Sequence, residues 1–305
     1  MNKFKVFFTF IGFFWLLLCG FGAIYAIATG YGSNSPTAWL GLLINAWALP
    51  IWMLVRYLYP GKIAGDLREP GAFSGVLMGL AIVLLADNER GLPVYLAIAN
   101  LFVLLAYLYH LSAVRHPKMP ALDTEFPPLE IEGSENWRAA AFCRERRLDG
   151  VLLVFLRGSY CADSRSQLHQ IRALLPDLTR RNIGLLLLST QPELKWPAPY
   201  ATDPSVFVGG NVGVGNTAGR IPSGAEKYRE DSQLRQLDVS GEASSSFVAR
   251  SAAPFILRPW VRDAARPSAW LIDREGYILW RELAANYREP ASVELLRSQL
   301  FRVED

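Results

Sequence analysis

Residues Val151–Thr190 read VLLVFLRGSYCADSRSQLHQIRALLPDLTRRNIGLLLLST. Val151–Leu156 is an apolar run of strand length and composition. The turn Arg157-Gly158-Ser159-Tyr160 follows it and delivers Cys161. Leu168, Ile171, Leu175 and Leu178 then recur at helical spacing, with Asp163 or Ser164 placed to cap the helix. A second apolar run, Gly184–Leu188, predicts the next strand. The segment therefore reads as a βαβ unit with a thiol at the mouth of its helix.

That position has chemical consequences. The unpaired N–H groups and positive dipole end of a helix N-terminus stabilise an anion. A cysteine there tends toward thiolate, the nucleophilic form. Arg157, four residues upstream, adds positive charge, and Ser164 is placed to donate a hydrogen bond to the sulfur. The alternative is a structural cysteine, since free cysteines are among the most buried side chains. Polar Ser159, Asp163, Ser164 and Arg165 argue for the working thiol.

The stretch VFLRGSYCADS resembles the peroxiredoxin-like and thioredoxin-like families, of the alkyl hydroperoxide reductase and thiol-specific antioxidant type. In those families a strand leads into an RG-x-W-C-P-x-C turn. Tyr160 stands at the aromatic position and Cys161 at the nucleophile. Ala162 replaces the proline and Ser164 the second cysteine, giving a monothiol C-x-x-S. Gly158 and Val154 replace the threonine and upstream proline of typical peroxiredoxins. Downstream, Arg266-Pro-Ser-Ala-Trp-Leu-Ile-Asp-Arg-Glu-Gly276 is similar to the P-[ST]-x-x-L-I-D-x-x-G block of the same superfamily. The resemblance implies that Pro267 is a cis-proline beside the active cysteine. It covers roughly residues 129–303.

Ala269–Ile272 and Tyr277–Trp280 read independently as a hairpin, and Ser292–Phe301 as a closing amphipathic helix. Leu129–Ile131 predicts a short strand and Glu135–Arg147 a helix carrying Cys143, which is assigned to core packing.

The N-terminal part is of another kind. Residues 1–120 carry eight Lys/Arg and four Asp/Glu, so the net charge of +3 originates there. Val6–Ala28 runs 23 residues without a charge, long enough to span a bilayer. Ala38–Val55 continues past Arg56, which is expected to snorkel to the interface. Gly71–Ala86 is a shorter span and Leu92–Val114 a full one. Four spans are expected, three being the rival count. The first is read as a retained helix, because it is too long for a signal peptide and has no A-x-A exit.

Lys3, Lys5, Arg56, Lys62, Arg68, Arg115 and Lys118 fall in alternate segments, which predicts both termini on the cytoplasmic side. No carboxylate interrupts the spans, so they read as an anchor rather than a transport path. His110, near the end of the fourth span, suits an interface.

The organisation expected is an α-helical transmembrane bundle of four spans over 1–114, a Pro-rich linker over 115–128, and an α/β thioredoxin-like domain over 129–305. The location is the cell (inner) membrane, multi-pass, with the soluble domain cytoplasmic. Cysteines 19, 143 and 161 form no close pair, so neither a zinc site nor a disulfide framework is expected, and no cofactor. Gly209–Gly219 lacks a Gly-Lys-Ser/Thr ending and reads as a loop within a 191–265 insertion, which offers a lid or a protein-partner surface. No basic patch points to nucleic acid.

Two functions remain open. One is a monothiol oxidoreductase, in which Cys161 reduces a peroxide or disulfide and a small thiol or thioredoxin-type reductant regenerates it. The other is a catalytically degenerate binding module docked at the membrane.

Overall fold

The apolar runs of the N-terminal third form long helices in the computed structural model, which describes residues 2–31, 35–60, 69–111, 119–131, 134–158, 161–189, 206–209, 267–284 and 289–303. The chain divides into two units, Met1–Ala113 and Val114–Asp305.

The first unit contains α1 (Asn2–Thr29), α2 (Pro36–Leu58), α3 (Pro70–Ala86) and α4 (Leu92–Ala106), the last running into a π-helical turn over Tyr107–Leu111. Phe8–Thr29, Pro36–Leu58 and Leu92–Leu111 are long and apolar enough to cross a membrane. Helix α3 is apolar but has only 17 residues.

One chain of hydrogen bonds joins all four helices. Trp15 Nε1 donates to Asn100 Oδ1 at 2.9 Å, Asn100 Nδ2 to Asn45 Oδ1 at 3.0 Å, and Asn45 Nδ2 to the Val76 carbonyl at 2.8 Å. Buried side-chain hydrogen bonds of this kind hold apolar helices together. Glycine lets α2 and α3 approach closely: a Cβ on Gly79 would stand 2.4 Å from the Asn45 backbone nitrogen.

Arg56 does not snorkel. Its side chain is buried against Glu69, the N-cap residue of α3, which also accepts from Trp52 Nε1 at 2.7 Å. A carboxylate within reach is a better partner for a guanidinium than a longer path to water.

The second unit is built on a five-stranded mixed sheet, and the expected α/β class is observed there. Its strands are β3 (Gly150–Leu156), β4 (Ile183–Ser189), β5 (Val206–Gly209), β6 (Ser268–Asp273) and β7 (Ile278–Leu283), in the order β5-β4-β3-β6-β7. β3, β4 and β5 are parallel; β6 and β7 are antiparallel to their neighbours. A separate antiparallel pair, β1 (Leu129–Ile131) and β2 (Ser134–Trp137), precedes α5 (Ala139–Arg146).

The central strand β3 is buried along its whole length, as its unbroken apolar run requires. Leu152, Val154 and Leu156 pack on one face against Leu168, Ile171, Leu178 and Leu296. Val151, Leu153 and Phe155 pack on the other with Phe126, Cys143 and Trp270.

Several boundaries depart from the sequence reading. The crossover helix is broken into α6 (Ala162–Ile171), a 3₁₀ turn (Arg172–Leu174) and α7 (Leu175–Arg180). Pro176 falls in the first turn of α7, where a missing N–H is tolerated, and would disrupt a helix interior. Glu135–Trp137, expected to be helical, belongs to β2, because Trp137 pairs with Leu129. Gln191–Ser205 and Gly210–Arg266 lie outside the described residues, so the lid or partner surface does too. The closing helix α8 (Val293–Gln299) is capped by Ser292, whose hydroxyl accepts from Leu295 N–H at 3.2 Å.

Candidate functional site

β3 ends at Leu156, and Arg157 and Gly158 carry the chain out of the sheet. Gly158 has φ +128°, a conformation open to glycine and strained for other residues. The Cys161 N–H donates to the Gly158 carbonyl at 3.1 Å. Cys161 is itself the N-cap of α6, in extended conformation, and its carbonyl accepts the Arg165 N–H at 3.1 Å. The capping role therefore belongs to the cysteine, with Asp163 and Ser164 inside the first turn. Ser159 and Tyr160 lie outside the described residues.

The thiol is only 6% exposed, yet it sits among polar groups rather than in the apolar core. Arg157 Nη1 donates to Cys161 Sγ at 3.9 Å, and Sγ donates to Asp163 Oδ2 at 3.8 Å. Arg157, Asp163 and Ser164 are all buried. Two opposite charges thus flank one sulfur. The guanidinium is a hydrogen-bond donor to the sulfur and the carboxylate an acceptor from it.

Ser164 has a different partner from the one expected. Its hydroxyl oxygen accepts the Arg157 backbone N–H at 3.1 Å, which clips the first turn of α6 to the end of β3. This bond fixes the segment from which the Arg157 side chain reaches the sulfur.

Pro267 lies at the entrance to β6 and is buried. Ser268 is registered with Phe155, so Pro267 falls beside the end of β3 that leads to Cys161. Its carbonyl accepts the Ala284 N–H at 3.1 Å. The described residues contain no cis peptide bond; the Arg266–Pro267 bond includes Arg266, which lies outside them. His169 is exposed.

Cys143 is remote from this site. It is wholly buried on the opposite face of β3, and its thiol donates to the Asp273 carbonyl at 4.0 Å. Asp273 is registered with Gly150, the first residue of β3, whereas Cys161 follows the last. A seven-residue strand, roughly 20 Å long, separates the two ends. A disulfide needs Cα atoms within about 7 Å, so this fold does not pair them.

The sequence reading missed Asp163 as a neighbour of the sulfur. The sequence reading takes Asp163 as a candidate helix cap and one of several polar neighbours, a role that implies no contact with the sulfur. The available signal was the Cys-x-Asp spacing at a strand-to-helix turn.

Fold and site together define an α/β domain with a parallel crossover, an antiparallel hairpin and a cysteine at the mouth of a helix. No protein-family model matches the chain, and no curated protein matches it. Among solved structures, it is similar to a thiol peroxidase from Chromobacterium violaceum, at 12% identity and a TM-score of 0.36, over 63% of this chain and 93% of that one. A peroxiredoxin-like protein from Aquifex aeolicus matches at 8% identity and TM-score 0.36, over 63% and 92%. Mycobacterium tuberculosis AhpC matches at 10% identity and TM-score 0.33, over 61% and 99%.

Proposed function

We propose that this chain is a membrane-anchored monothiol oxidoreductase in which Cys161 is the nucleophile. The observation that carries the reading is the Arg157–Cys161–Asp163 array at the N-terminus of α6. A core cysteine would be surrounded by apolar side chains, as Cys143 is. Cys161 instead has a guanidinium donor and a carboxylate acceptor on its sulfur.

The thiolate attacks a peroxide oxygen or a disulfide sulfur, giving a sulfenic acid or a mixed disulfide. Ser164 occupies the second position of the motif and Cys143 lies at the far end of β3, so an external thiol completes the cycle. Pro267 shapes the edge of the site beside the end of β3.

The test uses the full chain in detergent. One equivalent of hydrogen peroxide is added, sulfenic acid is trapped with dimedone, and adducts are mapped by mass. The expected adduct is on Cys161, present in Cys143→Ala and absent from Cys161→Ser. An unreactive Cys161 sinks the enzyme reading in favour of the binding module. A Cys143–Cys161 disulfide sinks the monothiol scheme.

The anchor is proposed to have four spans over 1–114, joined by a 115–128 linker to the domain over 129–305, with both termini cytoplasmic. Helix α3, about 26 Å long, is short of a hydrocarbon core of about 30 Å. Its close packing on α2 and the bond from Asn45 to Val76 support a place within the bundle. A reporter fused after Asp305 is expected to behave as cytoplasmic. Signal from the opposite side would mean that three helices cross.

A further inference from the structure

We propose that Ser164 is a positioning residue for Cys161, acting through Arg157 and not on the sulfur itself. This rests on Cys161 being the nucleophile, as proposed above, and gives the serine in the second position of the motif a use of its own.

Arg157 is the first residue beyond β3, and the ladder between β3 and β4 ends just before it, at Leu156 and Ser189. A buried backbone N–H that has left its ladder needs another acceptor. Ser164 supplies one: its hydroxyl oxygen accepts the Arg157 N–H at 3.1 Å, and both residues are buried. The far end of Arg157 meets the same turn of helix, where Nη1 donates to Cys161 Sγ at 3.9 Å.

One arginine is therefore bonded twice to the start of α6. Its backbone is held by the third residue of the helix and its guanidinium reaches the N-cap residue. An arginine side chain has many rotamers, so a fixed base narrows the directions its planar fork can take. Ser164 supplies that fixed base without touching the sulfur.

A serine that only closed the turn would, when lost, loosen the site for every reagent alike. A serine that aims a cation at the sulfur would be missed most by a negatively charged reagent. Iodoacetate and iodoacetamide make that distinction. They are close in size, expel the same iodide and attack the same thiolate, but differ by one negative charge. The ratio of their rates at Cys161 cancels access and thiolate content and reads the charge beside the sulfur.

The full chain is used in uncharged detergent at pH 7, with adducts at Cys161 quantified by mass. Arg157→Gln is expected to lower the iodoacetate-to-iodoacetamide ratio roughly 10-fold. Ser164→Ala, which keeps the guanidinium but frees its base, should lower it about 3-fold. Ser164→Thr retains the hydroxyl acceptor and should stay near wild type. In an Arg157→Gln background, Ser164→Ala should leave the ratio unchanged, because no cation remains to be aimed.

A wild-type ratio in Ser164→Ala would overturn the assignment, whatever happens to the two rates separately. An equal drop in the ratio with and without Arg157 would overturn it too. Wild-type Cys161 inert to both reagents, in a chain that reacts once unfolded, would overturn the reading of Cys161 and this inference with it.

Discussion

Replacing Glu69 with alanine is expected to destabilise the N-terminal unit by about 3–5 kcal/mol, the usual result of removing one partner of a buried ion pair. Arg56 and Glu69 are each 1% exposed. The Glu69 carboxylate receives Arg56 Nη1 on one oxygen and Trp52 Nε1 on the other. The alanine variant takes a carboxylate away from a buried guanidinium. It also frees an indole N–H in the same place. Both losses fall at the junction of α2 and α3, which the Gly79 approach and the Asn45 bond to Val76 hold together.

Glu69→Gln keeps an acceptor for Trp52 but loses the charge, and should fall between wild type and alanine. The double change Arg56→Met with Glu69→Met removes both charges and should recover most of the loss. Resistance of the full chain to unfolding by SDS, followed by tryptophan fluorescence, reads the series. A Glu69→Ala protein within about 0.5 kcal/mol of wild type would mean the pair is not sequestered from solvent.

That pair also shows where sequence reasoning stops. Arg56 and Glu69 lie thirteen residues apart; the sequence reading gives Arg56 an orienting and snorkelling role and assigns Glu69 none. A snorkelling arginine and a buried one have the same local sequence. The elements that were legible are those whose signal is local and repeated. The runs Val151–Leu156 and Gly184–Leu188 define β3 and β4 because both are buried on two faces. The hairpin of β6 and β7 was visible from its apolar pattern and from Gly276, which takes φ +97° at the turn. β2 was not legible, since Ser134-Glu-Asn-Trp137 is polar and is a strand only through its pairing with β1. β5 was overlooked in a loose region, although Val206-Phe-Val208 carries strand composition. At the site, the place of Cys161 at the mouth of α6 and its nearness to Arg157 were legible from position along the chain. The contact of Asp163 with the sulfur depends on how α6 starts, which is a matter of backbone angles.

Cys143 makes the second thiol a measurable contrast to the first. Its thiol is pushed up to about 12 from an ordinary 9.0, by burial first and then by the carboxylates of Asp273, Asp149 and Glu275, with Arg274 opposing. At pH 7 its thiolate fraction is roughly 10⁻⁵, so folded protein should leave Cys143 unlabelled by iodoacetamide while Cys161 reacts. The same shift links stability to pH. Below pH 9 the thiol is protonated in both folded and unfolded chains, and Cys143 adds no slope. Between pH 9 and about 12 the unfolded chain gives up this proton and the folded one holds it. The unfolded state then binds fewer protons, so stability falls as pH rises, by about 1.4 kcal/mol per unit and on the order of 4 kcal/mol across the window. Other groups titrate there as well, and the comparison that isolates this thiol is wild type against Cys143→Ala. Denaturant unfolding of the two proteins, followed through Trp270 in the same core cluster, should show wild type losing ground steadily above pH 9. Parallel stability curves to pH 11 would mean that Cys143 ionises freely in the folded domain. Labelling of Cys143 at pH 7 would mean the same.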